Sequence, residues 1–333
     1  MKKLFLLLIT SFTIIFFSCD ENFSPKEEFK DGYILYGIIA SDDLHNSQRN
    51  EVYISKLYDV DGYDPGINVD DPTVSGANVV IEYRNNFYTL TQAERNRVDT
   101  SRYKNKLTYY YTNQIAPLPN NPISIMAQMP DGKYISSSTY IPDDMVFEYS
   151  YDFDRTGINP KLNQFLWGDK WIINWSAYQA DYRKHLYFPQ LTIYYEKNGA
   201  TGVTAGKVKI PSTFIKRNGI EEPYFVPFTY GESVTFDFEA IDKTLNDISK
   251  DDTAKSSYSV GPVIFEVIEF DANLSSYYSS INGSLDAYSV SLNESIFSNI
   301  NNGTGVFGSY KSNKRSFNFN SNYIKEIGYK IKY

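Results

Sequence analysis

The sequence predicts a mainly β protein, two β-sandwich domains in tandem with one short helix in the second. Three observations predict it. Aromatic residues make up 17% of the 333-residue chain, with 30 Tyr and 22 Phe against only 4 Met, a composition suited to the half-buried pleated surface of a sheet. Apolar and polar residues alternate in short runs, broken by turn clusters, from Tyr33 to the C-terminus. Once an N-terminal leader and tether are set aside, the remaining length suits about two domains.

The leader comes first. In "MKKLFLLLITSFTIIFFSCDEN", Lys2 and Lys3 precede an apolar run from Leu4 to Phe17, then Ser18 and Cys19. A basic head, a hydrophobic run and a small residue at the cut describe an export signal. The run is shorter than the ~20 apolar residues that span a bilayer. Cys19 is the only cysteine, so no disulfide forms within the molecule. It stands where a bacterial lipobox places the residue that is cut and acylated, with Phe16 in place of the usual Leu. Residues 1–18 are therefore read as a lipoprotein signal peptide, and residues 19–32 as the acylated cysteine and a polar tether. The expected anchor is outer-membrane lipid held through Cys19. The net charge of −8 speaks against nucleic acid as a partner, because that contact rests on Lys and Arg neutralising phosphate.

The first sandwich is expected over residues 33–141. "YILYGIIA" (33–40) and "EVYISKLYD" (51–59) read as strands. "ANVVIEYRNNFYTLT" (77–91) reads as a hairpin turning at Arg84-Asn85-Asn86, and residues 121–142 as another turning at Pro130-Asp131-Gly132. "IPDDM" (141–145) is the linker. The second sandwich, residues 142–333, has candidate strands in "MVFEYSYDFD", "KWIINWSAY", "HLYFPQLTIYYEKNG", "ESVTFDFEAID" and "SYSVGPVIFEVIEFD". Leu274, Tyr277, Tyr278, Ile281 and Leu285 fall at helical spacing, which predicts the short helix, interrupted near Asn282-Gly283.

Two glycine motifs suggest nucleotides and fail. Gly303, Gly305 and Gly308 spell G-x-G-x-x-G in "SNINNGTGVFGSY". A dinucleotide fingerprint needs a following helix and a further βαβ unit, for which the remaining chain has no room. These glycines are read as places where backbone turns sharply or packs closely against an aromatic such as Phe307. "GVTAGKV" (202–208) has Val208 where a P-loop needs Ser or Thr. No cofactor is expected.

In "DVDGYDPG", Asp59, Asp61 and Asp64 crowd around Gly62. Such a loop offers oxygen ligands for a calcium ion. It does not follow the EF-hand pattern, and the competing reading is an ordinary surface loop. Trp171 and Trp175 alternate along one strand, as core or as an aromatic platform for a ligand such as a sugar. Tyr109, Tyr110, Tyr111, Tyr277 and Tyr278 invite the same two readings.

Catalysis finds little support. His45 and His185 are the only histidines, and neither lies in a G-x-S-x-G or H-E-x-x-H context. Cys19 is assigned to lipid. Paired carboxylates of a hydrolase leave no local signature. No catalytic residue is expected, and the chain is read as non-enzymatic.

Several segments together carry a resemblance: Cys19, "VSGANVVIE" (74–82), "PDGKYISSS" (130–138), "NWSAYQADYRKHLYF" (174–188) and "SNINNGTGVFGSY". They resemble a family of Bacteroidota outer-membrane lipoproteins catalogued only as a domain of unknown function. The most specific match is S-N-I-x-x-G-x-G-x-F, at Ser298, Asn299, Ile300, Gly303, Gly305 and Phe307. Some members carry a cysteine-bearing tail that this sequence lacks, so its last strands are expected to differ. The resemblance implies an immunoglobulin- or transthyretin-like first sandwich and a fibronectin type III-like second one. It also implies association with a TonB-dependent receptor. The acidic "DEN" after Cys19 resembles the surface-export signal of such lipoproteins, which places the protein on the cell exterior. The expected function is an accessory or ligand-capture lipoprotein. The alternative is a stand-alone glycan- or protein-binding surface module.

Overall fold

The computed structural model describes residues 29–42, 47–60, 68, 70–149, 170–177, 185–250, 252, 254–282 and 297–332. It is mainly β. The first half contains β1 (Tyr33–Asp42), β2 (Asn50–Lys56), β3 (Asn78–Tyr83), β4 (Asn86–Thr89), β5 (Thr91–Arg95), β6 (Leu107–Thr112), β7 (Pro122–Gln128) and β8 (Tyr134–Tyr140). The second half begins with β9 (Met145–Tyr149), β10 (Lys170–Ala177), β11 (Leu186–Gly199) and β12 (Gly202–Ile210). It continues with β13 (Thr213–Arg217), β14 (Ile220–Tyr224), β15 (Ser233–Asp237), β16 (Tyr258–Phe270), β17 (Thr304–Phe317) and β18 (Lys330–Ile331). Among the described residues three α-helices join them: α1 (Phe238–Asp247), α2 (Ala272–Asn282) and α3 (Ser321–Ile327).

One sheet runs through both halves, in the order β12-β11-β16-β17-β1-β2-β6-β5, with β18 beside the start of β16. The junction is the parallel pair β1–β17, in register from Ile34 opposite Thr304 to Asp42 opposite Ser312. Two smaller sheets cover this long sheet side by side: β4-β3-β7-β8 over the first half and β15-β10-β9 over the second. Hairpin β13–β14 stands apart as a two-stranded sheet.

The buried apolar residues follow this division. One cluster takes Leu35, Ile39, Val52, Ile81, Ile125 and their neighbours from residues 33–141, together with Ile300 and Phe307. The other takes Trp171, Trp175, Ile193, Val263, Phe265, Phe317 and others from Met145 onward. Strand β17 thus feeds Phe307 into one core and Phe317 into the other. Between them its inward positions turn polar. Ser309 Oγ donates to Tyr140 O (2.7 Å), Lys311 Nζ pairs with Asp144 (3.1 Å), and Asn313 Oδ1 accepts from Met145 N (3.3 Å). The segment read as a linker is therefore pinned along this polar row, whose bonds offset part of the cost of burying these groups.

The glycine signature is packing. Gly305 has φ +108°, and a Cβ there would collide with the backbone carbonyl of Leu35 on β1. A Cβ on Gly308 would lie 2.5 Å from Leu274 Cγ, so its absence lets α2 sit directly on the sheet. The helix expected near Leu274 is α2, whose cap is Asp271: its Oδ1 accepts from Leu274 N (2.8 Å).

Two further helices were not anticipated. The alternation in "ESVTFDFEAID" predicts strand throughout, but the strand stops at Asp237 and α1 begins at Phe238. Phe238, Ile241 and Leu245 then recur at helical spacing and face the second core, with Ala240 and Thr244 also buried. Helix α3 is capped by Asn320, whose side chain accepts from Asn322 N and Tyr323 N, and it ends at Gly328 in the left-handed region.

Candidate functional site

Two hairpins build a recess on the outer face of the four-stranded sheet. Between β3 and β4 the turn residues Arg84 and Asn85 both have positive φ, 51° and 60°. That is the two-residue turn whose twist suits a hairpin. Between β7 and β8, Gly132 at φ +86° closes the turn from Met129, with Met129 N donating to Lys133 O (2.7 Å). These turns fix the register of the four-stranded sheet. One row across its outer face reads Phe87, Glu82, Ser124, Ser138, and the next reads Thr89, Val80, Met126, Ser136, Asn301.

The recess along these rows holds about 310 Å³. Small serines form its floor. Larger side chains stand around or beside it: Phe87 is 71% exposed, Tyr134 56%, Met126 52% and Tyr140 49%. Asn301 is held by two backbone bonds with Ser136 (Ser136 N to Asn301 O, 3.2 Å; Asn301 N to Ser136 O, 2.8 Å). Ser137 Oγ donates to Asn299 O (2.8 Å). The G-x-G-x-x-G stretch thus supplies one wall. The site offers serine hydroxyls, one amide and one carboxylate, Glu82, between bare apolar surfaces. That chemistry matches a ligand with hydroxyls on its edges and an apolar face. Glu82 is the only acid among the lining residues, so the recess lacks the facing carboxylate pair of a glycosidase.

A second cavity, of about 200 Å³, lies among Phe188, Leu191, Ile210, Phe225, Val226 and Phe236. Its lining is largely apolar, and its one serine hydroxyl, on Ser212, is already bonded to Tyr224 O (3.1 Å).

The residues singled out from sequence divide. Trp171 and Trp175 are 1% and 2% exposed, so the platform reading of both is corrected: they are core. Their strand faces the long sheet, where Trp171 meets Phe317 edge-on (5.0 Å) and Trp175 meets Tyr187 (5.8 Å). Tyr110 is also core, its hydroxyl donating to Val74 O (2.9 Å) and accepting from Ala77 N (3.0 Å). Tyr278 stacks on Phe228 (5.4 Å) beneath α2. Tyr109, Tyr111 and Tyr277 instead join Tyr36 and Tyr53 on the outer face of the long sheet.

Asp59 is exposed, and its Oδ1 accepts from Val60 N (2.9 Å). Asp61 and Asp64 lie outside the described residues, as do Cys19, His45 and Trp167. Among the described residues, no cluster of three or more His, Cys, Asp or Glu is placed to hold a metal. His185 Nδ1 lies 2.6 Å from Glu269 Oε1, with the side chains 7% and 0% exposed. Near this pair, burial pushes the Asp271 carboxyl up to about 6, against hydrogen bonds from Thr139 and the Leu274 backbone. This buried group sits where β16 ends and α2 begins.

The recess residues Glu82, Phe87, Ser124, Ser136, Ser138 and Asn301 were not singled out from sequence. The usable signal was the hairpin itself. Once β7 and β8 are paired, their outward positions are read as Ser124 and Met126 against Ser136 and Ser138. Asn301 has no such local signal, since it reaches the sheet from 165 positions away. A scan against protein-family models finds no match, and no curated protein matches the chain.

Proposed function

We propose that the protein is a non-catalytic binding module that captures a neutral saccharide in the recess over β3, β4, β7 and β8. The observation that carries this reading is the serine-floored recess whose lining brings together bare Phe87, Glu82 and Asn301. A sugar ring presents C–H groups on one face and hydroxyls around its rim. An aromatic wall with polar neighbours addresses both. The sequence adds the setting: acylation at Cys19 tethers the module to the outer membrane, facing outward. There it serves as the ligand-capture partner of a TonB-dependent receptor.

The test is a neutral-oligosaccharide array probed with the full chain, followed by calorimetry on any hit. Phe87→Ala is expected to weaken binding about ten-fold, the scale of one lost ring contact. Ser136→Trp, which fills the floor, is expected to abolish it. If no neutral saccharide is retained, or Ser136→Trp binds as well as wild type, the recess is not the site. Co-purification of a TonB-dependent receptor from gently solubilised outer membranes tests the partnership separately.

A further inference from the structure

The opposite side of the first sandwich carries a second surface of different chemistry. Along β1 the inward residues Leu35 and Ile39 are fully buried, while Tyr36 and Ile38 between them are 42% and 36% exposed. Tyr36 faces Tyr53 across β1–β2. Tyr53 in turn neighbours Tyr109 on β6 (6.0 Å between rings), and Tyr109 neighbours Tyr111 (6.0 Å). Tyr277 of α2 meets Tyr36 edge-on at 6.2 Å. Five tyrosines therefore form one continuous face.

Two arginines lie on it. The Arg49 guanidinium sits 4.0 Å over the Tyr111 ring, and that of Arg95 4.2 Å over Tyr109 and 5.4 Å over Tyr53. At these distances the guanidinium charges lie over the ring faces, a favourable cation–π arrangement. Both share a single carboxylate. Arg49 Nε donates to Glu51 Oε1 (3.0 Å), and Arg95 Nη2 donates to Glu51 Oε2. Arg49 Nη2 also donates to Tyr109 Oη (2.5 Å), and Arg95 Nη2 to Tyr53 Oη. The Nη1 group of Arg49 and the Nε and Nη1 groups of Arg95 take no part in these bonds. Among the described residues, two cations against one anion leave a net positive spot on a chain whose overall charge is −8. The two arginine side chains are 46% and 42% exposed.

These rings are unlike those around the recess. Guanidinium groups already cover Tyr109 and Tyr111, which removes them as stacking surfaces for a neutral sugar. What remains, among the described residues, is a pair of guanidinium groups sharing one carboxylate, beside the exposed ring of Tyr36. We infer that this face binds an acidic polysaccharide, with a uronate carboxylate held by Arg95 and Arg49 and a neighbouring sugar ring lying on Tyr36. The guanidinium donors outside these bonds, Nη1 of Arg49 and Nε or Nη1 of Arg95, each give a carboxylate one charge-assisted bond. Arg95 reaches over Tyr53, one strand, or ~4.8 Å, from Tyr36, so two or more sugar units bridge the acidic and apolar parts. The inference does not depend on the recess.

The experiment is affinity electrophoresis of the full chain in gels containing polygalacturonate, its carboxyl-reduced form, neutral galactan or poly-L-glutamate. Polygalacturonate is expected to retard the protein, less so as salt rises, while the reduced and neutral polymers do not. The double variant R49Q/R95Q is expected to lose at least ten-fold in affinity, and Tyr36→Ala about five-fold. Arg95→Lys, which keeps the charge, is expected to recover only part of the binding. Phe87→Ala is expected to leave polygalacturonate binding unchanged, which separates this face from the recess. No retardation by polygalacturonate, or retention of wild-type affinity in R49Q/R95Q with an unaltered unfolding transition, overturns the proposal. Equal retardation by poly-L-glutamate also overturns it, in favour of an acidic peptide.

Discussion

The side chain of Asn299 holds the backbone of Phe307 at both ends: its Nδ2 donates to Phe307 O (2.7 Å) and its Oδ1 accepts from Phe307 N (3.0 Å). Strand β16 accompanies β17 only as far as the Phe270–Tyr310 pair. Toward Thr304 its place is taken by the Asn299 amide, which imitates a strand, with Asn273 Nδ2 adding a longer bond to Phe307 O (3.5 Å). Phe307, fully buried in the first core, depends on that substitute. Asn299→Ala removes the acceptor of Phe307 N and leaves Phe307 O with the longer bond from Asn273 Nδ2 (3.5 Å), and is expected to destabilise the fold by about 1–3 kcal/mol, measured by urea unfolding.

The close approach of β17 to β1 predicts a contrast between two glycines with positive φ. Gly132→Ala, at an exposed turn with nothing within 4 Å of the added methyl, is expected to cost only about 1–2 kcal/mol of left-handed strain. Gly305→Ala adds a collision with the Leu35 carbonyl and is expected to cost on the order of 4 kcal/mol or more. Comparison of their thermal midpoints checks the order; equal effects would mean that the strand pair relaxes freely.

Trp171 predicts a separation of stability from binding. Trp171→Ala removes a fully buried indole from contact with Phe236 and Phe317, with an expected loss of about 3–5 kcal/mol. Trp171→Phe is expected to cost less. In either variant, molecules that remain folded are expected to bind saccharide with unchanged affinity, as calorimetry on the folded fraction would show.

Asp271 predicts a pH dependence with a definite sign. Burial raises its carboxyl from 3.8 to about 6, so the folded state holds the proton more tightly than the unfolded chain. The contribution is stabilising and complete below about pH 4, and it is lost as pH rises through 6. The scale is on the order of 2 kcal/mol. Asp271→Asn is expected to flatten the stability profile between pH 4 and 6, followed by denaturant midpoints across that range. An unchanged slope would place the titration elsewhere.

Much of the fold is legible because its hairpins are local. Arg84-Asn85 and Pro130-Asp131-Gly132 announce their turns, and alternation around them gives β3, β4, β7 and β8. The burial of Trp171 and Trp175 is legible in the same way, from period-two spacing on an apolar face. Strand β12 is harder to read because "GVTAGKVKI" is a largely exposed edge with one partner and little apolar content. Helix α1 hides because Val234, Phe236 and Phe238 alternate straight across the strand–helix boundary. The two surfaces are less legible still. The recess needs four strands and Asn301 brought into register. The tyrosine face needs β1 beside β2 and β2 beside β6, so Tyr36 and Tyr53 gain meaning only from their neighbours.

The parallel pairing of the first and penultimate strands has a consequence for how the molecule comes together. Lys311 reaches Asp42 across 269 positions of chain, and contacts of that separation are closed late and slowly. Until residues 304–312 emerge, β1 presents one edge of open backbone donors and acceptors, a template for pairing with the wrong chain. The first sandwich also lacks Phe307 and Ile300 until then. A fragment ending at Ile141 would therefore carry both hairpins of the recess, yet it would lack two of its buried side chains and the neighbour of its first strand. Such a fragment is expected to aggregate on expression, and supplying residues 297–317 in trans as a peptide is expected to rescue its solubility.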